Sequence, residues 1–267
     1  MRIAISQMNC KVGDPSTNID HIHVRIEQAA KQKCSLVVFP EMAELGYDME
    51  VITKSAKSWN DGPANILAQY AKQYSIAVIA GIAEREGMAI YNTLAAFDKN
   101  GALLTKYRKI HLITADPICE DKFLQAGQEL SLCTIDGIKC GLMTCYDIRF
   151  PELARALYER GAQLLIAPSA FPLIRIEHWR SILKCRAIEN QLYVAGANRI
   201  GTDAGVAFGG ASQIIDPLGA ILSSASETED NLIFADIAVD QIAAVRQRLH
   251  IGQDRRPALY RNWSQSA

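Results

Sequence analysis

Hydrophobic positions along the chain follow two alternating patterns. Short continuous apolar runs predict buried strands, because a strand covered on both faces is apolar throughout. Longer segments with apolar residues three or four positions apart predict helices, as at 18–32, where Ser16, Thr17 or Asn18 would cap the start. In the first half, strands are predicted at 2–8, 35–40, 76–83, 89–98 and 102–108, and helices at 18–32 and 63–74.

The second half repeats this order of elements. Strands are predicted at 138–145, 163–167, 192–198, 212–216, 220–224 and 232–239, and helices at 151–160, 177–191 and 240–249. Two sheets that each carry helices on one face can bury their other faces against each other. The pattern therefore predicts an α/β fold, a four-layer α-β-β-α sandwich. One doubly wound sheet would use the same alternation, so both arrangements stay open at this point.

Nothing in the composition divides the chain, so we expect one domain over residues 1–267. Residues 251–267 are predicted to form a tail that packs on a neighbouring subunit through Trp263. No run approaches the roughly 20 apolar residues of a membrane span, and the N-terminus lacks the features of a signal peptide. We therefore expect a cytoplasmic protein that does not bind membranes.

Charge and cysteine content narrow the function. The formal net charge of −1 argues against a nucleic-acid binder, which needs an excess of basic residues. The seven cysteines are odd in number and include no C-x-x-C pair, which predicts reduced thiols rather than a disulfide framework.

Three chemically distinctive side chains follow predicted strands. Glu41, Lys109 and Cys145 each lie where a strand ends, and the ends of strands in open α/β sheets are where ligands collect. A thiol attacks a carbonyl as thiolate, and a desolvated carboxylate can remove its proton. An ammonium group and the main-chain N–H of Tyr146 would stabilise the resulting oxyanion. These roles suit Cys145, Glu41 and Lys109 and require neither metal nor cofactor.

Residue types alone leave alternatives open. Many cysteine enzymes use a histidine base, for which His111 and His178 are the candidates. A redox-sensing thiol would need a resolving cysteine, and Cys140 is predicted to face the other side of its strand. A binding protein that retains the fold without catalysis is a further possibility.

Three local segments resemble a known family. FPE at 39–41, YRKIHL at 107–112 and CYDIRFPE at 145–152 are similar to the signature segments of the nitrilase superfamily of carbon–nitrogen hydrolases. The similarity extends through HW at 178–179, RAIENQ at 186–191 and DPLG at 216–219, and so covers nearly the whole chain. It implies the α-β-β-α sandwich and a catalytic triad of Glu41, Lys109 and Cys145.

The resemblance also implies further site residues. Glu120 matches a second glutamate that accepts a hydrogen bond from the lysine, with Glu129 as its rival. Asp147 and Arg149 are expected to form a structural pair beside the nucleophile. The remaining residues are expected to contact substrate or to line the pocket and its entrance: Tyr47, Tyr146 and Phe171. Family members commonly pair, which implies a homodimer or a larger homo-oligomer through 152–158, 177–190 and Trp263.

The segment 169–191 is most similar to the ω-amidase and deaminated-glutathione amidase branches. It implies a dicarboxylic acid monoamide such as 2-oxoglutaramate as substrate. Arg175 or Arg186 would then anchor the distal carboxylate. An N-carbamoyl amidohydrolase or a general aliphatic amidase is the alternative. A nitrilase acting on nitriles is disfavoured, because the nucleophile precedes Tyr-Asp rather than Trp-Glu.

Overall fold

The computed structural model describes residues 1–261, and Trp263 lies outside the described residues. The strands are β1 Arg2–Gln7, β2 Leu36–Val38, β3 Lys57–Ser58, β4 Ala77–Glu86, β5 Ala89–Phe97, β6 Leu103–Arg108, β7 Leu132–Ile135, β8 Ile138–Leu142, β9 Leu164–Ser169, β10 Tyr193–Asn198, β11 Ile200–Asp203, β12 Val206–Gly209, β13 Gln213–Ile215, β14 Ile221–Ser224 and β15 Asn231–Asp236. The α-helices are α1 Pro15–Lys31, α2 Met49–Ser55, α3 Ala64–Tyr74, α4 Pro151–Glu159, α5 Ile176–Asn190, α6 Val239–Arg248, α7 Ile251–Asp254 and α8 Pro257–Arg261.

Two sheets with the same order of strands make up the centre of the fold. The first sheet has the strand order β15-β1-β2-β4-β5-β6, with β3 beside β4. Read from the corresponding edge, the second sheet has the order β7-β8-β9-β10-β13-β14. In each sheet three successive parallel strands continue into an antiparallel hairpin. One further antiparallel strand borders each first strand, β15 beside β1 and β7 beside β8. The predicted repeat of two similar halves is therefore confirmed.

The sheets bury one face against each other and the other face under helices. Side chains such as Ile5, Val38, Leu142 and Ile166 meet in the core between the sheets. Helices α1 and α3 cover the outer face of the first sheet, and α4 and α5 cover that of the second. The α-β-β-α sandwich is confirmed, and the alternative of a single doubly wound sheet is wrong.

Several element boundaries differ from the predictions. Helix α1 begins at Pro15 rather than at residue 18, because the Asp14 side chain caps it by accepting from the Thr17 N–H and Pro15 suits the first turn. The predicted caps Ser16, Thr17 and Asn18 lie inside the helix. Short elements were missed, namely α2, β3, β7 and the β11–β12 hairpin, and residues 251–261 form helices α7 and α8. No helix in residues 1–261 is long and apolar enough to cross a membrane.

Candidate active site

Glu41 lies just beyond β2, in a loop held tightly against β4. The Gly81 N–H donates to the Pro40 carbonyl, and the Ala43 N–H donates to the Gly81 carbonyl. A Cβ at Gly81 would come within 2.6 Å of the Glu41 Cα, so only glycine permits this approach. The buried carboxylate accepts hydrogen bonds from Lys109 at 2.9 Å and Asn92 at 2.6 Å on Oε1. On Oε2 it accepts from the Ala170 main-chain N–H at 2.7 Å.

Lys109 follows β6, and its ammonium group lies between two buried carboxylates. Besides Glu41, it donates to Glu120 Oε1 at 2.8 Å, so the predicted hydrogen bond between Lys109 and Glu120 is present. The Tyr47 hydroxyl donates to the same oxygen at 2.6 Å, and the Ile113 N–H donates to Glu120 Oε2 at 2.8 Å. Tyr47 also lines a cleft of about 240 Å³ at the protein surface.

Cys145 lies beyond the end of β8 rather than in the strand. Strand β8 ends at Leu142, and Cys145 begins a short 3₁₀ helix, Cys145–Arg149. Its φ of +46° is in the left-handed region, which is uncommon for a residue with a Cβ and marks a sharply turned backbone. The thiol is buried, and the charges of Glu41, Lys109 and Glu120 all act on its pKa.

The charges in this cluster change one another's proton affinity. Burial raises the pKa of Glu41, while the Lys109 ammonium opposes the rise. Burial alone would lower the pKa of Lys109, yet Glu120, Glu41 and Cys145 hold it well above its usual 10.5. Burial and the Glu41 carboxylate raise the pKa of Cys145 well above 9.0, and Lys109 and the Ala170 N–H lower it. The resting site therefore favours a protonated thiol and a charged lysine.

No hydrogen bond joins Cys145 Sγ directly to Glu41 or Lys109 in the described part of the chain. The Ala170 N–H influences both groups, since it donates to Glu41 Oε2 and lowers the pKa of Cys145. Catalytic hydrogen bonds are often long before substrate binds and shorten in the substrate complex. The arrangement can therefore support thiol deprotonation once substrate occupies the site.

The expected pairing of Asp147 with Arg149 is wrong. Asp147 instead accepts hydrogen bonds from Tyr107, from His111 and from the Thr144 N–H. The half-buried Arg149 guanidinium lies over the rings of Phe171, at 5.1 Å, and Tyr146, at 5.9 Å. It forms no salt bridge with any carboxylate of residues 1–261.

The remaining predicted residues differ in their burial and in their hydrogen-bond partners. Phe171 is buried directly after Ala170, and Tyr146 directly follows Cys145. Arg186 donates to the Ile148 carbonyl and pairs with Glu189, so its guanidinium is already occupied. Arg175 is exposed in the turn before α5.

Within residues 1–261, the two candidate histidine bases and Glu129 form no hydrogen bond or salt bridge with Glu41, Lys109 or Glu120. His111 binds Asp147, and the exposed His178 has its Nδ1 3.4 Å from Arg149 Nη1. Glu129 lines a separate surface groove beside Arg108. Glu120, not Glu129, therefore contacts the lysine.

Asn92 and Ala170 were missed by sequence reasoning. A signal existed for Asn92, because it is an amide within the largely apolar strand 89–98, and a buried amide needs hydrogen-bond partners. Ala170 gave none, since it acts through its main-chain N–H. Both hold Glu41 in place.

Comparison with known proteins identifies the family. Residues 2–247 match the sequence profile described as "Carbon-nitrogen hydrolase". The chain belongs to this carbon–nitrogen hydrolase family. The family resemblance and the expected class of enzyme are thereby confirmed.

Individual relatives match the carbon–nitrogen hydrolase over nearly its full length. It is 35% identical to the 2-oxoglutaramate amidase of Bacillus subtilis (strain 168), over 97% of this chain and 98% of that protein. It is 34% identical to the omega-amidase NIT2 of Homo sapiens, over 97% and 96% of the two chains. A solved structure of the E41Q mutant of the amidase from Nesterenkonia sp. AN1, with acrylamide added to its active-site cysteine, matches with a TM-score of 0.86 and 30% identity, over 98% and 99% of the two chains.

Proposed function

We propose that this carbon–nitrogen hydrolase cleaves the C–N bond of a small carboxamide, with Cys145 as nucleophile, Glu41 as general base and Lys109 as oxyanion stabiliser. The observation that carries the proposal is the buried Lys109 ammonium held by Glu41 and Glu120 beside the Cys145 thiol. The cysteine modified by acrylamide in the Nesterenkonia amidase, a similar protein, supports a cysteine nucleophile here.

In the first half-reaction, Glu41 takes the thiol proton and the sulfur attacks the amide carbon. Glu41 Oε2 accepts only the Ala170 N–H among the contacts described, which leaves a lone pair for that proton. The carbonyl oxygen becomes an oxyanion, which Lys109 and the Tyr146 N–H stabilise. Glu41 then protonates the nitrogen, the C–N bond breaks, and ammonia leaves behind a thioester on Cys145.

In the second half-reaction, a water molecule attacks the thioester carbon. Glu41, again a carboxylate, takes a proton from this water, and the C–S bond breaks with return of a proton to the sulfur. The products are a carboxylic acid and the free thiol. Glu120 keeps Lys109 charged through both steps, and Tyr47 fixes Glu120.

The substrate class we propose is a dicarboxylic acid monoamide, as for an ω-amidase. The relatives named 2-oxoglutaramate amidase and omega-amidase support this choice. A distal carboxylate needs a cationic partner, and Arg149 suits that role better than Arg175 or Arg186. It is half-buried, follows the nucleophile on the same turn, and has no carboxylate partner in residues 1–261. The cleft beside Tyr47 is the proposed entrance.

Ammonia release from matched compounds tests this function. We expect release from succinamate at a higher kcat/KM than from butyramide, and little from N-carbamoyl-β-alanine or butyronitrile. Cys145→Ala should abolish release, and hydroxylamine should trap the thioester as a hydroxamate. Release from none of these compounds would refute the proposal, and preference for the carbamoyl compound would favour the alternative class.

A second measurement locates the nucleophile. Cys185 is an exposed thiol, so labelling is done in a Cys185→Ser background. Iodoacetamide should modify Cys145 faster than the other buried cysteines, and substrate should protect it. A catalytic role would be contradicted if substrate did not protect Cys145 and if iodoacetamide labelled Cys145 and Cys140 at equal rates.

Substrate selectivity tests Arg149 separately. Loss of a charge-assisted hydrogen bond costs about 1.5–3 kcal/mol, so Arg149→Gln should lower the preference for succinamate over butyramide about 10- to 100-fold. Arg175→Ala is the control and should keep the preference. If Arg175→Ala lowers it and Arg149→Gln does not, the anchor is Arg175.

We also propose that residues 1–267 form one domain. The protein would be cytoplasmic and would assemble as a homodimer or larger homo-oligomer. The seven unpaired thiols suit a reducing compartment. Exposed apolar side chains near α5 and β14 support subunit contact: Ile188, Leu218, Ile221 and Leu222. Sedimentation of the wild type and of Leu218→Glu tests this, because a charge in the contact should shift the protein towards monomer.

A further inference from the structure

One buried carboxylate connects the two chain segments that carry Lys109 and Cys145. Asp147 Oδ2 accepts from the Tyr107 hydroxyl at 2.6 Å and from the Thr144 N–H at 2.8 Å. Oδ1 accepts from the His111 N–H at 3.0 Å and lies 2.8 Å from His111 Nδ1. Asp147 is fully buried, so each of these donors replaces a lost contact with water.

The donors flank the two proposed catalytic residues. Tyr107 and His111 lie two residues before and two residues after Lys109, while Thr144 and Asp147 enclose Cys145. Lys109 follows a strand of the first sheet, and Cys145 follows a strand of the second. The Asp147 contacts therefore bridge the two sheets at the site itself.

The surroundings leave Asp147 one well-defined position. Tyr107 is fully buried, and the His111 ring stacks on Phe150 with centroids 3.7 Å apart and planes at 10°. The Thr144 N–H contact fixes the start of the turn that gives Cys145 its left-handed backbone. A displaced Asp147 would move both the Lys109 segment and the Cys145 turn.

We propose that Asp147 is a positioning residue that sets the distance between the Lys109 ammonium and the Cys145 sulfur through Tyr107 and His111. The inference rests on the proposed function of Lys109 and Cys145. Asp147 itself does not touch substrate. Its effect should therefore be on kcat, with little change in KM, and on the reactivity of the Cys145 thiol.

Single-group deletions test this without removing the carboxylate. Tyr107→Phe removes only the hydroxyl, and His111→Phe keeps the stacking on Phe150 but loses the Nδ1 donor. His111→Asn retains a donor near the Nδ1 position. Because misplacement of a catalytic group by about 1 Å can cost 10²-fold, we expect kcat to fall about tenfold in each phenylalanine variant and much less in His111→Asn.

Tyr193→Phe is the matched control. Tyr193 is also buried and its hydroxyl hydrogen-bonds to Gln241, but it lies at the ends of the strands opposite the candidate site. The second readout is the pH profile of Cys145 alkylation in the Cys185→Ser background. Lys109 favours the thiolate, so its displacement should move that profile to higher pH. The control should lose some stability but keep its kcat and its profile.

The outcomes separate the two proposals. If Tyr107→Phe and His111→Phe lower only the midpoint of unfolding and match Tyr193→Phe in kcat and alkylation profile, Asp147 is merely structural and the inference is wrong. Equal kcat for His111→Asn and His111→Phe would also overturn it. If the wild type releases no ammonia from any amide, the proposed function fails, while a shifted alkylation profile would still support the Asp147 linkage.

Discussion

Glu41 Oε2 accepts a hydrogen bond from the Ala170 N–H at 2.7 Å. Glu41 follows β2 of the first sheet, and Ala170 follows β9 of the second, so this contact joins the two sheets across the candidate site. The same N–H lowers the pKa of Cys145. One main-chain group of the second sheet thus orients the proposed base and stabilises the proposed thiolate.

Glu41→Gln should nearly abolish turnover. Glutamine has the same shape but cannot accept the thiol proton, and general-base catalysis contributes about 10²–10⁴-fold. We expect kcat to fall by at least about a hundredfold, as measured by ammonia release. The matched control is Glu44→Gln, a buried carboxyl of the same loop that binds the Ala83 N–H and does not contact Lys109. A Glu41→Gln enzyme with wild-type kcat would exclude Glu41 as the base.

Tyr47→Phe should weaken catalysis and lower stability moderately. It removes the hydroxyl that donates to Glu120 Oε1, the oxygen that also accepts from Lys109. A hydrogen bond to a charged group contributes about 1.5–3 kcal/mol, so kcat should fall by about 100-fold at most and the free energy of unfolding by no more than about 3 kcal/mol. Steady-state kinetics and urea denaturation measure both. If kcat stays unchanged while stability falls, Tyr47 only supports the fold.

Much of the fold was predictable because both sheets are buried on two faces, which gives continuous apolar runs. The pattern did not distinguish the sandwich from one doubly wound sheet, since that choice depends on which faces meet. The missed strand β7 is short, but the Asp136-Gly137 pair that follows it in the sequence is a hairpin signal. In the structure both residues of this turn have positive φ, +46° and +78°.

The candidate site, too, could be predicted from the sequence only in part. Glu41, Lys109 and Cys145 were predictable from their motifs and their places at strand ends. The partners of Asp147 were not, because Tyr107 and His111 are about 40 residues away along the chain and meet it only when the sheets pack. The pairing with Arg149 was expected from the family resemblance, and the Cys145–Arg149 turn instead directs that side chain over Phe171.

Gly81→Ala should inactivate the enzyme through the position of Glu41. The added Cβ would lie 2.6 Å from the Glu41 Cα and 2.7 Å from the Pro40 carbonyl oxygen, so main chain must move. We expect kcat to fall at least about tenfold in protein that still folds in the cold. Gly141→Ala is the control, because its Cβ would meet Leu157 and Leu165 side chains at 3.1 Å, and these can adjust. Wild-type kcat in folded Gly81→Ala would show that the loop tolerates displacement.

Glu44 should make the protein less stable as the pH rises. Burial raises its pKa from 4.5 to about 7, and its Oε2 has no hydrogen-bond partner within residues 1–261. The folded protein therefore keeps a proton on Glu44 that the unfolded chain has already released. The resulting stabilisation is complete below the unfolded pKa and is lost as the pH rises from about 4.5 to about 7.

The difference between these two pKa values corresponds to roughly 3 kcal/mol. Glu44→Gln cannot ionise, so its free energy of unfolding should exceed that of the wild type by up to roughly 3 kcal/mol at high pH and approach it at low pH. Urea denaturation of both proteins between about pH 5 and 8 gives this difference. The contributions of the other titrating groups are the same in both proteins and cancel. Glu50→Gln, at an exposed carboxylate, should show no such trend. A difference between Glu44→Gln and wild type that stays flat with pH would mean that the Glu44 carboxyl is solvated in the folded protein.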